Sequence, residues 1–328
     1  MDEKGFVEGV RRYMSQLREE KRYSSAKSYQ DALNSFIKYS GTENISYSDI
    51  NKANLHRYEA YLLEKGCMCN TVSTYMRRIR CVYNKAIEDG DAEYIPGLFQ
   101  GVFTGVESKR KKSLSLENQH KLMTVKVESE VLRETQLVVC LLFQYAGMSF
   151  VDFAHLKERN IKNGILDYNR QKTGTPMRLE ILDTAELMRK ELMGDKKPAS
   201  GYLFPFLSGT KTGYEAYLEY NAALSRFNRN LKALKKAAGI ASDVTSYTIR
   251  HSFAMALKEQ NVPIEMISEL LGHKSIKTTQ IYLRSFSLEK MTEVNSTCFG
   301  CVYNYVSKVG GGYLVSSAKG GRMVITQL

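Results

Sequence analysis

Apolar positions recur at three- and four-residue spacing through the first quarter of the chain, as in helices that bury one face. Val7, Val10, Tyr13, Met14 and Leu17 form the first such stripe. Ser24 and Ser25 open a second, with Tyr29, Leu33, Phe36 and Ile37 along one side. A third runs from Asn54 to Leu63 and stops before Gly66. A fourth runs from Thr71 to Ile87, striped by Tyr75, Ile79, Val82, Tyr83 and Ala86. The helical period lapses between Gly90 and Gly105, where Pro96, Gly97 and Gly101 break it. It returns at Ser115-Leu116-Glu117-Asn118, a helix start, and Leu132 to Tyr145 is apolar enough for a buried helix. Between Gly164 and Leu182 the period drops to two. Ile165, Asp167 and Asn169 alternate with Leu166, Tyr168 and Arg170, and Met177, Leu179 and Ile181 alternate on the way back. This predicts a β-hairpin with Lys172 at its tip. Helical patterns resume over 214–238, 246–260 and 264–271. The tail from Thr292 to Leu328 differs again, with Gly310, Gly311 and Gly312 between β-prone stretches, and no internal repeat is visible. The expected fold is mainly α with a small β-sheet (α+β), in two domains.

The polar positions give that outline a direction. Lys109, Arg110, Lys111 and Lys112 form a basic run inside residues 107–113. Between two ordered regions such a run reads as an extended linker able to track a phosphate backbone. The domain boundary therefore falls here, with a helical domain over 1–106, a mixed domain over 114–290 and a tail over 291–328. On the fourth helix Arg77, Arg78, Arg80 and Lys85 occupy the faces outside the apolar stripe. They fit either a solvated face or a helix lying in or across a DNA groove. Over the 328 residues, 47 Lys and Arg stand against 35 Asp and Glu, a net charge of +12. That excess favours a polyanionic partner, nucleic acid or an anionic membrane surface.

The membrane reading falls away, because the most apolar stretch, Leu137 to Met148, is interrupted by Gln144 and is too short to span a bilayer. The N-terminus, MDEKGFVEGVRRYMSQ, lacks the apolar core of a secretory signal. Among the six cysteines, Cys67 and Cys69 lack metal-ligand spacing, and Cys298 and Cys301 form a single CxxC with no second pair and no nearby histidine. Reduced thiols in a cytoplasmic protein are expected, with no metal and no cofactor.

Three short patterns carry the chemistry. They are Thr248-Ile249-Arg250-His251-Ser252-Phe253-Ala254, then Leu270-Leu271-Gly272-His273-Lys274-Ser275, then Thr278-Thr279-Gln280-Ile281-Tyr282, with His273 nine residues before Tyr282. Together with the Lys172 hairpin, their order and spacing resemble the tyrosine site-specific recombinases, the phage integrase family. The resemblance extends over nearly the whole chain to about Arg284, since the helical N-terminal region is similar to that family's SAM-like core-binding domain. It implies a two-domain clamp around duplex DNA and strand cleavage through a 3′-phosphotyrosyl intermediate, without ATP or metal. It implies Tyr282 as nucleophile, Arg250 and His273 as phosphate contacts and Lys172 as general acid. The residue types suit the reaction. A phosphorane-like transition state gathers negative charge that a bidentate guanidinium answers better than an ammonium, and the departing 5′-oxygen needs a proton.

The chain departs from the family pattern at two places. Ala146-Gly147-Met148-Ser149 stands where a TGLR-like turn is usual, so Ser149 replaces the first arginine and marks an atypical subset. Arg170 is either the residue that compensates, two residues before Lys172 on the same predicted strand and hence on the same face, or a solvated hairpin arginine. Tyr247, three residues before Arg250, stands where the family has histidine; a phenol can still hydrogen-bond a phosphate oxygen. His251 is expected to pack structurally, and Asp152 is either a residue that orients Arg250 or an ordinary satisfied helix residue. The resemblance further implies inverted half-sites, a homo-tetramer on synapsed DNA, accessory DNA-bending proteins and a nucleoid-associated location. C-terminal segments of the family pack on a neighbouring protomer, and 291–328 is the candidate for that contact. Because the chain starts at the core-binding region, a simple invertase or Xer-like enzyme is expected. The alternatives are a phage or conjugative-transposon integrase and, from another class, a catalytically impaired DNA-binding protein.

Overall fold

The computed structural model describes residues 5–106, 113–196, 198, 201–283, 291–292, 294–298, 313–317 and 323–327, giving backbone only for 281–282 and the last two segments. The N-terminal part comprises α1 (Phe6–Glu19), α2 (Tyr23–Ser40), α3 (Lys52–Glu64) and α4 (Cys69–Glu88). Each begins and ends within a few residues of the predicted stripe. Their apolar faces meet in one core from Phe6 to Val102, in which Phe36, Tyr58 and Met76 are fully buried. Burying side chains of this size contributes about 1.5–3 kcal/mol each.

A second core spans Leu114 to Ile249. It is built from α5 (Leu116–Thr124), α6 (Glu130–Gln144), α7 (Phe150–Ala154), the strands β1 (Ile161–Lys162), β2 (Ile165–Asn169) and β3 (Pro176–Glu180), α8 (Asp183–Met193), α9 (Gly213–Ala237) and the start of α10 (Ser246–Glu259). Helix α6 sits at its centre, and its run from Leu137 to Leu142 is buried. The sheet is antiparallel in the order β1-β2-β3, with Leu166 opposite Leu179 and Tyr168 opposite Met177. Helix α8, which the sequence pattern did not single out, buries only Ala185, Leu192 and Met193 and leaves Leu187 exposed, so it shows no clean stripe. Helices α11 (Ile264–Leu270) and α12 (Ile276–Tyr282) follow α10; α11 supplies Ile267 to a small third cluster with Ala254 and Leu271.

Helix α10 is the element that matters most for the site. Thr245 caps it, accepting from Thr248 N at 3.3 Å while Thr248 Oγ1 accepts from Thr245 N at 3.1 Å. Such a cap is worth about 1 kcal/mol and fixes where the helix begins, hence which face each later residue takes. Ser252 on α10 accepts from Leu114 N at 2.9 Å, so the chain leaving the linker region is pinned to this helix.

The tail contains an antiparallel pair, β4 (Tyr313–Ser317) and β5 (Met323–Gln327), with Tyr313 opposite Gln327. Both described strands follow Gly310–Gly312 in sequence, and the β-prone stretch before those glycines lies outside the described residues. No described helix is long and apolar enough to cross a membrane.

Candidate active site

The predicted residues converge on the turn Leu271-Gly272-His273 between α11 and α12. Arg250 points there from α10 and is 2 % exposed. Its Nη1 donates to the Gly147 carbonyl at 2.8 Å, and its Nη2 donates to the Leu271 carbonyl and lies 3.5 Å from His273 Nε2. Arg170 reaches the same turn from the end of β2 and is 8 % exposed. Its Nη1 donates to the Gly272 carbonyl at 2.9 Å. Two guanidinium groups are thus fixed on consecutive carbonyls. The buried Tyr168 phenol feels both: burial and Asp152 push its pKa up, while Arg250 and Arg170 pull it down.

Strand geometry explains why Arg170 arrives there. Leu166 and Tyr168 are the buried members of β2, and Arg170 continues their alternation onto the inner side. Lys172 does not follow it. The strand ends at Asn169, Gly174 N donates to the Arg170 carbonyl at 2.8 Å, and 171–173 form a turn with Lys172 exposed. The expectation that Arg170 and Lys172 share a strand face is therefore corrected. Alternation holds only while the chain stays in the pleat.

Asp152 serves Arg170, not Arg250. Its Oδ2 lies 3.5 Å from Arg170 Nε and accepts from Ser149 Oγ at 2.6 Å, while Oδ1 accepts from Gln171 N at 2.7 Å. The carboxylate holds the guanidinium, the start of the hairpin turn and the serine together. The single proton of Ser149 is directed to Asp152, which makes the serine a prop for the carboxylate. The role expected of Asp152, orienting Arg250, is revised accordingly.

Tyr247 is 48 % exposed, one helical turn before Arg250, with its ring edge-on to that of His251 at 4.7 Å. His251 is buried, as a packing role requires. His273 is half-buried, and its Nδ1 lies 2.9 Å from Oγ1 of Thr279, a member of the third pattern to which the sequence reading gave no role. Tyr282 ends α12, one turn after Thr279; its side chain lies outside the described residues.

The basic set on α4 divides. Arg78 is half-buried, donating from Nε to Ser28 Oγ at 3.0 Å with its guanidinium over the Tyr29 ring. Lys85 lies over the Tyr13 ring. Both lock α4 to neighbouring helices, and Arg77 and Arg80 remain exposed. Lys109, Arg110, Lys111 and Lys112 lie outside the described residues, as does Cys301.

Gly272 makes the close approach of Arg170 feasible. Its φ is +59°, and a Cβ there would come within 2.7 Å of Arg170 Cδ and closer still to Met177 Sδ. Gly239 has φ +67° with open space around it. Gly272→Ala should therefore destabilise by about 2 kcal/mol more than Gly239→Ala, since both carry the left-handed strain and only the first adds the clash. Thermal melting of the two variants checks this; equal midpoints would mean Arg170 and Met177 give way freely.

Residues 112–289 match the model of the phage integrase family, and residues 5–96 match that of the phage integrase SAM-like domain. The chain is 24% identical over 277 residues to tyrosine recombinase XerD of Listeria innocua, covering 79% of this chain and 87% of that one. It is 32% identical over 177 residues to tyrosine recombinase XerA of Pyrococcus furiosus, covering 53% of this chain and 57% of the other. In fold it is similar to lambda integrase, from a crystal structure of a tetramer bound to a Holliday junction, with TM-score 0.63, 18% identity and coverage of 86% of this chain and 78% of that one. It is equally similar to the Tn1549 transposon integrase in complex with a circular intermediate DNA, with TM-score 0.63, 12% identity and coverage of 90% and 99%.

Proposed function

The chain is a tyrosine recombinase of the phage integrase family, and from that premise we propose that Tyr282 attacks a DNA phosphodiester in a pocket whose second guanidinium comes from Arg170. The phenol gives up its proton to solvent, its oxygen bonds to phosphorus and the bond to the 5′-oxygen breaks, leaving a 3′-phosphotyrosyl intermediate that keeps the energy of the original ester. Attack by the 5′-hydroxyl of another strand reverses the step and rejoins DNA. Arg250, Arg170 and His273 stabilise the charge on the non-bridging oxygens, and Lys172, at the exposed hairpin tip, protonates the departing oxygen. Tyr247, exposed one turn before Arg250, is the residue whose hydroxyl would reach a phosphate oxygen there. The carrying observation is the convergence of Arg250 and Arg170 on the carbonyls of Leu271 and Gly272 beside His273.

In this reading the enzyme belongs to an atypical subset. Ser149 brings no charge, and the ion pair with Asp152 keeps Arg170 in place of the missing first arginine. The helical part and the mixed part close around duplex DNA with inverted half-sites, Arg77, Arg80 and the basic run 109–112 following the phosphates. Four protomers act on two synapsed sites, with accessory DNA-bending proteins where the sites require them and the nucleoid as the working location. A simple Xer-like recombinase fits the length of the match to XerD.

The test is a nicked suicide duplex carrying a site selected by the protein from a randomised library. A denaturation-resistant protein–DNA adduct is expected; binding without any adduct would leave a DNA-binding protein in place of the enzyme. For Arg170, the expectation is that Arg170→Ala lowers single-turnover cleavage about a hundredfold and affinity by less than about threefold. Asp152, left buried without its cation, also makes this variant less stable by about 3 kcal/mol, so cleavage is read well below its melting midpoint. Wild-type cleavage would remove Arg170 from the pocket.

A further inference from the structure

We infer that Thr279 is a positioning residue for the reaction, fixing which nitrogen of His273 carries the proton and so tying the phosphate pocket to the helix that bears the nucleophile. The inference rests on reading His273 as a phosphate contact. Thr279 is 0% exposed, and its Oγ1 lies 2.9 Å from His273 Nδ1 across the turn that joins α11 to α12. The other ring nitrogen, Nε2, faces Arg250 Nη2 at 3.5 Å. A guanidinium only donates, so a neutral imidazole paired with it turns the Nε2 lone pair towards Arg250 and keeps its hydrogen on Nδ1. The hydroxyl of Thr279 then accepts from Nδ1. When a phosphate reaches the pocket, Nε2 takes up a proton from solvent and donates to the phosphate oxygen, and the imidazolium still donates from Nδ1 to the same hydroxyl. The ring need not turn between the two states.

Thr279 stands on α12, one turn before Tyr282. Seating this helix and aiming the imidazole are therefore one event. The neighbouring Thr278 is exposed, so the threonine pair in the sequence is not two equivalent residues. A hydroxyl is suited to this place. A carboxylate would pull the imidazole towards the charged form before DNA arrives, and an apolar side chain would leave Nδ1 without an acceptor.

Nitrogen-15 NMR of the DNA-free protein in alkaline buffer reads the tautomer, the His273 signal being assigned by its loss in His273→Gln. The wild type should show His273 with its hydrogen on Nδ1. Thr279→Val, which keeps the shape but lacks the hydroxyl, should shift the population towards Nε2–H. It should lower single-turnover cleavage about tenfold or more while leaving DNA affinity within about twofold. Thr279→Ser should restore both, and Thr278→Val should leave the tautomer as in the wild type. An unchanged tautomer in Thr279→Val overturns the inference, and so does undiminished cleavage by that variant. If instead His273→Gln cleaves like the wild type, the reading of His273 falls; the tautomer measurement, made without DNA, keeps the two failures distinct.

Discussion

Tyr282→Phe is expected to give no covalent protein–DNA adduct at all, while binding its site within about twofold of the wild type. The substitution removes one oxygen and keeps the ring. Affinity for duplex DNA comes from many phosphate contacts spread over a long interface, so losing one phenol changes it little. The chemistry has no such reserve, because without the oxygen no ester can form. A denaturing gel and a binding assay on the same preparation measure the two quantities side by side. A residual adduct would move the nucleophile to another of the 21 tyrosines.

Arg250→Lys is expected to lower cleavage by about a hundredfold to a thousandfold in single turnover. The substitution keeps the charge, so the effect isolates geometry. The planar fork of Arg250 spans from the Gly147 carbonyl to the Leu271 carbonyl, with its edge towards His273. It holds three segments of chain in register, and in the proposed pocket that geometry sets how the guanidinium meets the phosphate. An ammonium is a point charge on a flexible stem and cannot bridge the same acceptors. Some loss of stability accompanies the change, so cleavage must be compared per bound complex. A decrease of less than about threefold would mean that charge alone suffices and that the fork is dispensable.

The helical half of the fold was legible in the sequence because its stripes are regular. Val7 to Leu17 and Tyr75 to Ala86 bury the faces their spacing predicts. Helix α8 was not legible, since its packing face is short and partly alanine. In the site, Arg250 and His273 come together as their motif implies, because α10 and the turn before α12 hold them rigidly. The pairings were less legible. Asp152 stands three residues after Ser149, which suggests a helix contact, yet it pairs across 18 residues with Arg170 because the hairpin folds back over α7. Lys172 parts from Arg170 because a turn has no alternation to obey. Thr279 looks like any helix threonine until the turn at Gly272 brings His273 over it. Periodicity reports which face a side chain takes, and only the tertiary path reports what waits there.

The most direct measurement is to locate the DNA on the protein. The trapped complex is digested with nuclease and trypsin and the peptides are weighed by mass spectrometry. Cleavage after Lys277 and Arg284 releases Thr278 to Arg284, which contains Tyr282 as its one tyrosine. The account predicts a nucleotide joined to that peptide through Tyr282. A nucleotide on a different peptide, or a complex that dissociates on denaturation, would contradict it.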